Sequence, residues 1–278
     1  MAHHGPALGR DGPSWEAALN DETVHITRWG ESGPRLVLIH GGVQGGLVGG
    51  DRLFATQQRL TERGWQLIVP DRPGHGRSPD PGRPDDAAAD GRWVADLLED
   101  GAHLVGHSFG GCVALDAATR RPAATRSLTL IEPAMQNLAT SDPRVRRFGL
   151  RAARVLFLSL SARARILGFA RLVGIPPDIR GDSSPEELRR MGKALRRLVL
   201  PKKATLERQL DELRDRKIPL LVVTGGWNPA FEAVGDSVAK RGGGERLVIR
   251  SEHHFPHLAS DEFNAALARF IAARVSEA

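Results

Sequence analysis

Gly106-His107-Ser108-Phe109-Gly110 sets a serine hydroxyl between two glycines. In that pattern a strand can turn sharply into a helix and leave the hydroxyl exposed at the bend. Such a pentapeptide also arises by chance, so its flanks decide what it means. Upstream, Ala102-His103-Leu104-Val105 is a short apolar run suited to a buried strand. Downstream, Gly111 to Ala118 is alanine-rich and helix-compatible, ending near Arg121-Pro122. Strand, turn and helix together make Ser108 a candidate nucleophile rather than a small residue in a tight turn. A serine attacks a carbonyl only if a base removes its proton and donors stabilise the oxyanion. The base is expected on a loop after the last strand-like run, where Leu247-Val248-Ile249 leads into Ser251-Glu252-His253-His254-Phe255-Pro256-His257. His254, which precedes an apolar residue and a proline, is the favoured base. His253 is the alternative, and His257 reads as a pocket or solvent-facing residue.

These residues need a scaffold that brings loops together. Apolar runs at 36–39, 67–69, 102–106, 128–131, 220–223 and 247–249 alternate with helix-like stretches at about 51–63, 88–99, 110–120, 229–240 and 261–274. That alternation predicts a mostly parallel sheet with helices on both faces, an α/β fold, with a weaker antiparallel strand over Val24 to Trp29. The alternation breaks once, from Ala134 to Lys217, where only amphipathic stretches occur. Val145, Phe148, Ala152 and Leu156 share one helical face there, and Arg144, Arg147, Arg151 and Arg154 share another. The segment 136–217 is therefore expected to be a helical insertion with its apolar side on the sheet domain and its arginines in water. Substitutions at Phe148 or Phe157 on its apolar side are expected to change substrate preference. The core is expected over 15–135 and 218–278, after a flexible tail at 1–14 in which His3 and His4 are incidental.

With these motifs in order, the chain resembles the α/β-hydrolase superfamily from about Val24 to the C-terminus. The likeness rests on His40-Gly41-Gly42, on Asp71-Arg72-Pro73-Gly74-His75-Gly76-Arg77-Ser78, on the Gly106–Gly111 elbow and on the His254 loop. The resemblance implies Ser108 as nucleophile, His254 as general base, and oxyanion donors at the backbone N–H groups of Phe109 and of Gly42 or its neighbour Gly41. It also implies that 136–217 is the family's cap and that no cofactor or metal is needed. The Asp71–Ser78 loop is expected to be structural, and His40 and His107 to pack or hydrogen-bond.

One position departs from the pattern. The family's acid usually follows the strand after the cap, but Gly225-Gly226-Trp227-Asn228 puts an amide there. An amide can orient an imidazole but cannot stabilise imidazolium by charge, and Asp-to-Asn at such a position costs about 10⁴-fold in turnover. The family's alternative is an acid at the end of the strand after the nucleophile. Leu128-Thr129-Leu130-Ile131-Glu132 offers one, so Glu132 is the expected triad acid, with Glu232 the rival and Asp236 behind it. In that placement the chain is similar to zearalenone lactonases.

Composition narrows the remaining classes. Hydrophobic content of 41% with 26% charged residues is ordinary for a globular protein. The single cysteine, Cys112, excludes an internal disulfide framework and a cysteine metal cluster, and reads as packing. No tyrosine is present, which excludes a tyrosine-based oxyanion clamp. Net charge is +6, with 20 Lys+Arg against 9 Asp+Glu in 136–217, so that segment carries +11 and the remainder −5. The arginines are interleaved with acids and no recognition motif accompanies them, so nucleic acid is not expected as a partner. Neither a signal peptide nor a membrane-spanning run is evident, which points to a cytoplasmic protein without a membrane partner, monomeric or homodimeric. The expected function is a serine esterase or lactonase acting on a small-molecule ester or lactone through an acyl-enzyme on Ser108. The alternatives are carbon–carbon or thioester hydrolysis with the same triad, and a non-catalytic ligand receptor of the same fold.

Overall fold

The continuous apolar runs pair into one sheet. In the computed structural model, which describes residues 14–19, 22–259 and 261–275, the strands are β1 (Ser14–Leu19), β2 (Glu22–Trp29), β3 (Arg35–Ile39), β4 (Gln66–Pro70), β5 (Ala102–His107), β6 (Thr125–Ile131), β7 (Leu220–Thr224) and β8 (Glu245–Val248). Their order is β1-β2-β4-β3-β5-β6-β7-β8. Pairings β1–β2 and β2–β4 are antiparallel and the rest parallel; the antiparallel β2 and the parallel strands after it match the sequence pattern. Every residue of β5 and β7 is buried, as strands covered on both faces must be.

The α-helices, in chain order, are α1 (Gly50–Leu53), α2 (Ala87–Asp96), α3 (Phe109–Arg120), α4 (Pro143–Leu158), α5 (Ala162–Leu172), α6 (Pro177–Arg180), α7 (Pro185–Ala194), α8 (Lys203–Asp215), α9 (Pro229–Gly242), α10 (Pro256–Ala259) and α11 (Glu262–Val275). One sheet face is covered by α2, α3, α8 and α9, whose apolar residues form a single buried cluster with those of the strands. On the other face, Phe54 and Leu60 join Phe263, Leu267 and Phe270 of α11.

Three expectations shift. The tail at 1–14 lies outside the described residues except for Ser14, which begins β1. That strand escapes an apolar-run search because as an edge it buries only Ala17 and Leu19. The helix expected over 51–63 is a single α-turn followed by a 3₁₀ stretch, Ala55–Arg63, because the buried Phe54 leaves helical geometry at φ −122° and ψ 22°. The edge strand β8 starts at Glu245 rather than 247, since half-exposed edge positions tolerate charge.

The segment 136–217 consists of helices joined by turns and loops, with one isolated bridge from Val199 to Asp86 and no strand of its own in the sheet. Ile166, Leu188 and Leu195 close a small cluster around Val43 of the loop after β3. The buried Arg165 ties three helices together, donating to the carbonyls of Leu156 (2.9 Å) and Gly192 (2.9 Å). Helix α8 behaves differently: Leu206, Leu210 and Leu213 lie in the main cluster beside α3 and α9. It is a sheet-covering helix. Leu210→Ala should therefore lower the unfolding free energy by about 2–5 kcal/mol, as core truncations do. Urea denaturation reads this directly, and a loss below about 0.5 kcal/mol, as at surface sites, would contradict the placement of α8.

Candidate active site

In a parallel sheet the carboxyl ends of the strands share one edge, and loops after β3, β5, β6, β7 and β8 meet there. Ser108 follows β5 directly at φ 55° and ψ −122°, a conformation that is costly for a residue with a side chain. The neighbourhood fixes it: the Ser108 N–H donates to the Ile131 carbonyl (2.9 Å), and its own carbonyl accepts from Gly111 (3.0 Å) and Ala134 (3.1 Å). Close approach explains two of the glycines. A Cβ at Gly110 would run into the Ile39 and His40 carbonyl oxygens, and one at Gly41 would lie 2.6 Å from the Ser108 Cβ. The loop after β3 therefore sits directly against the serine.

His254, on the loop after β8, is buried, with Nδ1 3.1 Å from Oε2 of Glu132. Glu132 is the residue after β6, fully buried at φ 46°. Two further donors reach its carboxylate: the Gly225 N–H to Oε1 at 2.6 Å and the Trp227 indole Nε1–H to Oε2 at 3.1 Å. Burial pushes the Glu132 carboxyl up, and those two donors oppose the shift. Burial pushes the His254 imidazole down. The donor set favours the ionised carboxylate, because a protonated one would waste an N–H partner. His254 Nδ1 then donates to it and Nε2 is left without a proton. The His254 ring is held by Phe231 (centroids 4.7 Å apart) and by His107 (4.8 Å), whose Nε2 is 2.8 Å from the His254 carbonyl oxygen.

The rival residues are engaged elsewhere. Asn228 is the N-cap of α9, its Oδ1 accepting the Ala230 N–H at 2.9 Å. Glu232 pairs with Arg246 (2.7 Å) and accepts from Thr224 Oγ1 (2.8 Å) and the Gly226 N–H (2.9 Å). Asp236 also meets Arg246, at 3.1 Å. His253 Nδ1 lies 3.1 Å from Ser251 Oγ. His257 is neither a pocket nor a solvent-facing residue; it is fully buried with Nε2 3.1 Å from the Leu53 carbonyl, because α10 turns it under the loop. Burial pushes the Cys112 thiol up to about 12, which suits a packing residue.

The Asp71–Ser78 loop braces the oxyanion candidates. Arg72 is fully buried between Asp85 and Asp90 (2.8 Å each). Its Nε donates to the His40 carbonyl at 3.0 Å and its guanidinium lies 4.9 Å from the Phe109 ring centroid. His40 accepts the Arg72 N–H on Nε2 at 2.9 Å, so it hydrogen-bonds rather than reacts. Phe109, as the first residue of α3, has an N–H without an intrahelical acceptor. Phe109, Gly41 and Gly42 line the same cavity as Ser108 and His254. That cavity measures about 420 Å³ and is walled mainly by apolar side chains, among them Phe148, Leu156 and Phe169 from the helical insertion. Phe157, expected beside Phe148, is 68% exposed instead, because it lies on the outer side of α4. Among the described residues no group of three histidine, cysteine or acidic side chains is placed to hold a metal ion.

Residues 36–266 match the alpha/beta hydrolase family. The chain belongs to it. Among curated relatives, the lipase LipV of Mycobacterium tuberculosis is 36% identical over 117 residues, covering 40% of this chain and 42% of the lipase. A pimeloyl-[acyl-carrier protein] methyl ester esterase of Neisseria meningitidis is 29% identical over 220 residues, 74% of this chain and 81% of that esterase. The chain spans less than two thirds of the first two curated relatives it matches, 42% and 66%. A solved N-acyl homoserine lactonase, AidH, superposes with a TM-score of 0.64 at 23% identity over 93% of this chain and 95% of the lactonase, a likeness of fold. In this alpha/beta hydrolase, Asn228→Ala should cost about 0.5–2 kcal/mol of stability, the usual loss for an N-cap. Denaturant unfolding measures it, and a variant as stable as the parent would contradict the capping role.

Proposed function

We propose that this alpha/beta hydrolase is a serine hydrolase of carboxylic esters, lactones included, with an apolar acyl part. The observation that carries the reading is the Glu132–His254 contact: a buried carboxylate 3.1 Å from the imidazole Nδ1, at the strand end next to the elbow. His254 Nε2 takes the Ser108 proton as Oγ attacks the substrate carbonyl. The oxyanion receives the N–H groups of Phe109 and of Gly42 or Gly41, and Glu132 offsets the charge that appears on imidazolium. His254 then protonates the leaving alcohol, and water attacks the acyl-enzyme with His254 again as base. A lactone follows the same steps, its leaving alcohol remaining tethered to the acyl group. The helices of 136–217 that reach the cavity, α4, α5, α6 and α7, act as the cap that sets acyl preference; α8 supports the sheet. The methyl ester esterase and the acyl homoserine lactonase among the similar proteins support a substrate of this class.

Ser108→Ala should abolish turnover of p-nitrophenyl esters, by about 10⁴-fold or more, while the protein stays folded. Stoichiometric labelling of Ser108 by a fluorophosphonate should disappear in the same variant, and an active, folded Ser108→Ala protein would sink the reading. Glu132→Gln should lower kcat by roughly 10²–10⁴-fold with KM little changed. The pH profile supplies the sign. The carboxylate stabilises imidazolium, so without it the His254 pKa falls further and the acid limb of kcat/KM moves to lower pH. Glu232→Gln should leave kcat near the parent value. An acid limb unmoved in Glu132→Gln, or a collapse of turnover in Glu232→Gln, would return the acid to the loop after β7.

A further inference from the structure

Seven large apolar side chains stand exposed among the described residues, and four of them fall within eleven residues: Leu150, Phe157, Leu158 and Leu160. The first three are 66–72% exposed, and Leu160, in the turn between α4 and α5, is fully so. Isolated exposed leucines are ordinary, but a cluster of this kind marks a contact surface. At about 100° per residue, Leu150, Phe157 and Leu158 fall on the same outer stripe of α4 as Arg147, Arg151 and Arg154. Arg144, at the start of the helix, has Asp142 as its ion pair; Arg147, Arg151 and Arg154 form none among the described residues. The opposite side of α4 carries Phe148, Ala152 and Leu156 into the cavity wall. Both long sides of this helix are thus apolar, one facing the cavity and the other facing outward amid arginines.

We propose that the outer stripe of α4, with the turn at Leu160, docks on an anionic lipid surface. A helix lying in a membrane interface needs apolar side chains that enter the acyl boundary and cations that reach phosphate oxygens beside them. Arginine stems of this length lie along apolar surface while the guanidinium stays in the polar layer. The +11 charge of 136–217 supplies long-range attraction to an anionic leaflet. The same charge opposes pairing with a second copy through this face. Docking would be peripheral, since no described helix is long and apolar enough to cross a membrane. It would also hold a wall of the cavity against a source of apolar esters. From the sequence pattern alone the arginines are expected in water with no membrane partner; the exposure of Leu150, Phe157, Leu158 and Leu160 beside them is what favours a lipid surface.

Sedimentation with phosphatidylcholine vesicles, with or without about 30% phosphatidylglycerol, tests it at low and high salt. The wild type should pellet with the anionic vesicles at low salt and be released by salt. L150S/F157S/L158S and R147E/R151E/R154E should each weaken binding by on the order of 100-fold. Both variants should keep the thermal stability and the turnover of a water-soluble short-chain ester, because none of these residues lines the cavity. Wild-type protein that stays in the supernatant, or variants that pellet like it, would overturn the proposal. So would a wild-type dimer that the apolar variant converts to monomer, or retention on immobilised polyglutamate without vesicle binding. The vesicle result is independent of Ser108 chemistry, so either reading can fail without the other.

Discussion

A carboxylate buried to zero exposure is tolerable only if hydrogen bonds replace the water it has lost. Glu132 meets that condition with three N–H groups, from Gly225, Trp227 and the His254 ring. Much of the site's arrangement follows from satisfying this one charge. The loop after β7 turns its backbone and indole toward Glu132, and the loop after β8 brings His254 in from the other side. Glu132 itself sits at φ 46°, a backbone cost accepted where β6 ends. Its N–H is bonded to the Val223 carbonyl at 2.8 Å, so the strained residue is anchored to the next strand.

The elbow depends on β6 as well. Ser108 is pinned through the Ile131 carbonyl, the last residue before Glu132. Proposed nucleophile and proposed acid are therefore set by two adjacent strands hydrogen-bonded in register, with His107 opposite Ile131. Their relative position does not rely on the loops. The histidine does rely on one, and packing between Phe231 and His107 compensates. On the far side, Arg72 links the His40 carbonyl to the face of Phe109, so one buried cation braces both backbone segments proposed to bind the oxyanion. A buried arginine would be costly alone; Asp85 and Asp90 neutralise it.

The parts of this arrangement encoded locally were legible in the sequence. The elbow is a contiguous pentapeptide, and the parallel strands are runs of apolar residues because they are covered on both faces. Glu132 became visible through an absence, the amide at Asn228, and the structure gives that amide an ordinary task as a helix cap. Gly225 and Trp227 as carboxylate donors were not legible, because which N–H groups face a carboxylate depends on how the loop after β7 folds over β6. The packing of α8 in the main cluster is hidden for a related reason: amphipathic helices look alike whether they rest on a sheet or on other helices. Phe157 and Phe148 are nine residues apart, half a turn out of phase at about 100° per residue, so helical periodicity puts them on opposite sides of α4 although both are apolar. The edge strand β1 was missed because a sheet edge requires so few apolar residues.

The central claim is that Glu132 fixes His254 with its proton on Nδ1. Proton NMR of the resting protein at neutral pH reads that bond directly, since an imidazole N–H held by a buried carboxylate resonates far downfield. The account predicts one such signal, attached to the Nδ1 of His254 by ¹⁵N correlation, present in the wild type and in Asn228→Ala and lost in Glu132→Gln. A downfield signal that survives Glu132→Gln, or a His254 proton found on Nε2, would contradict it.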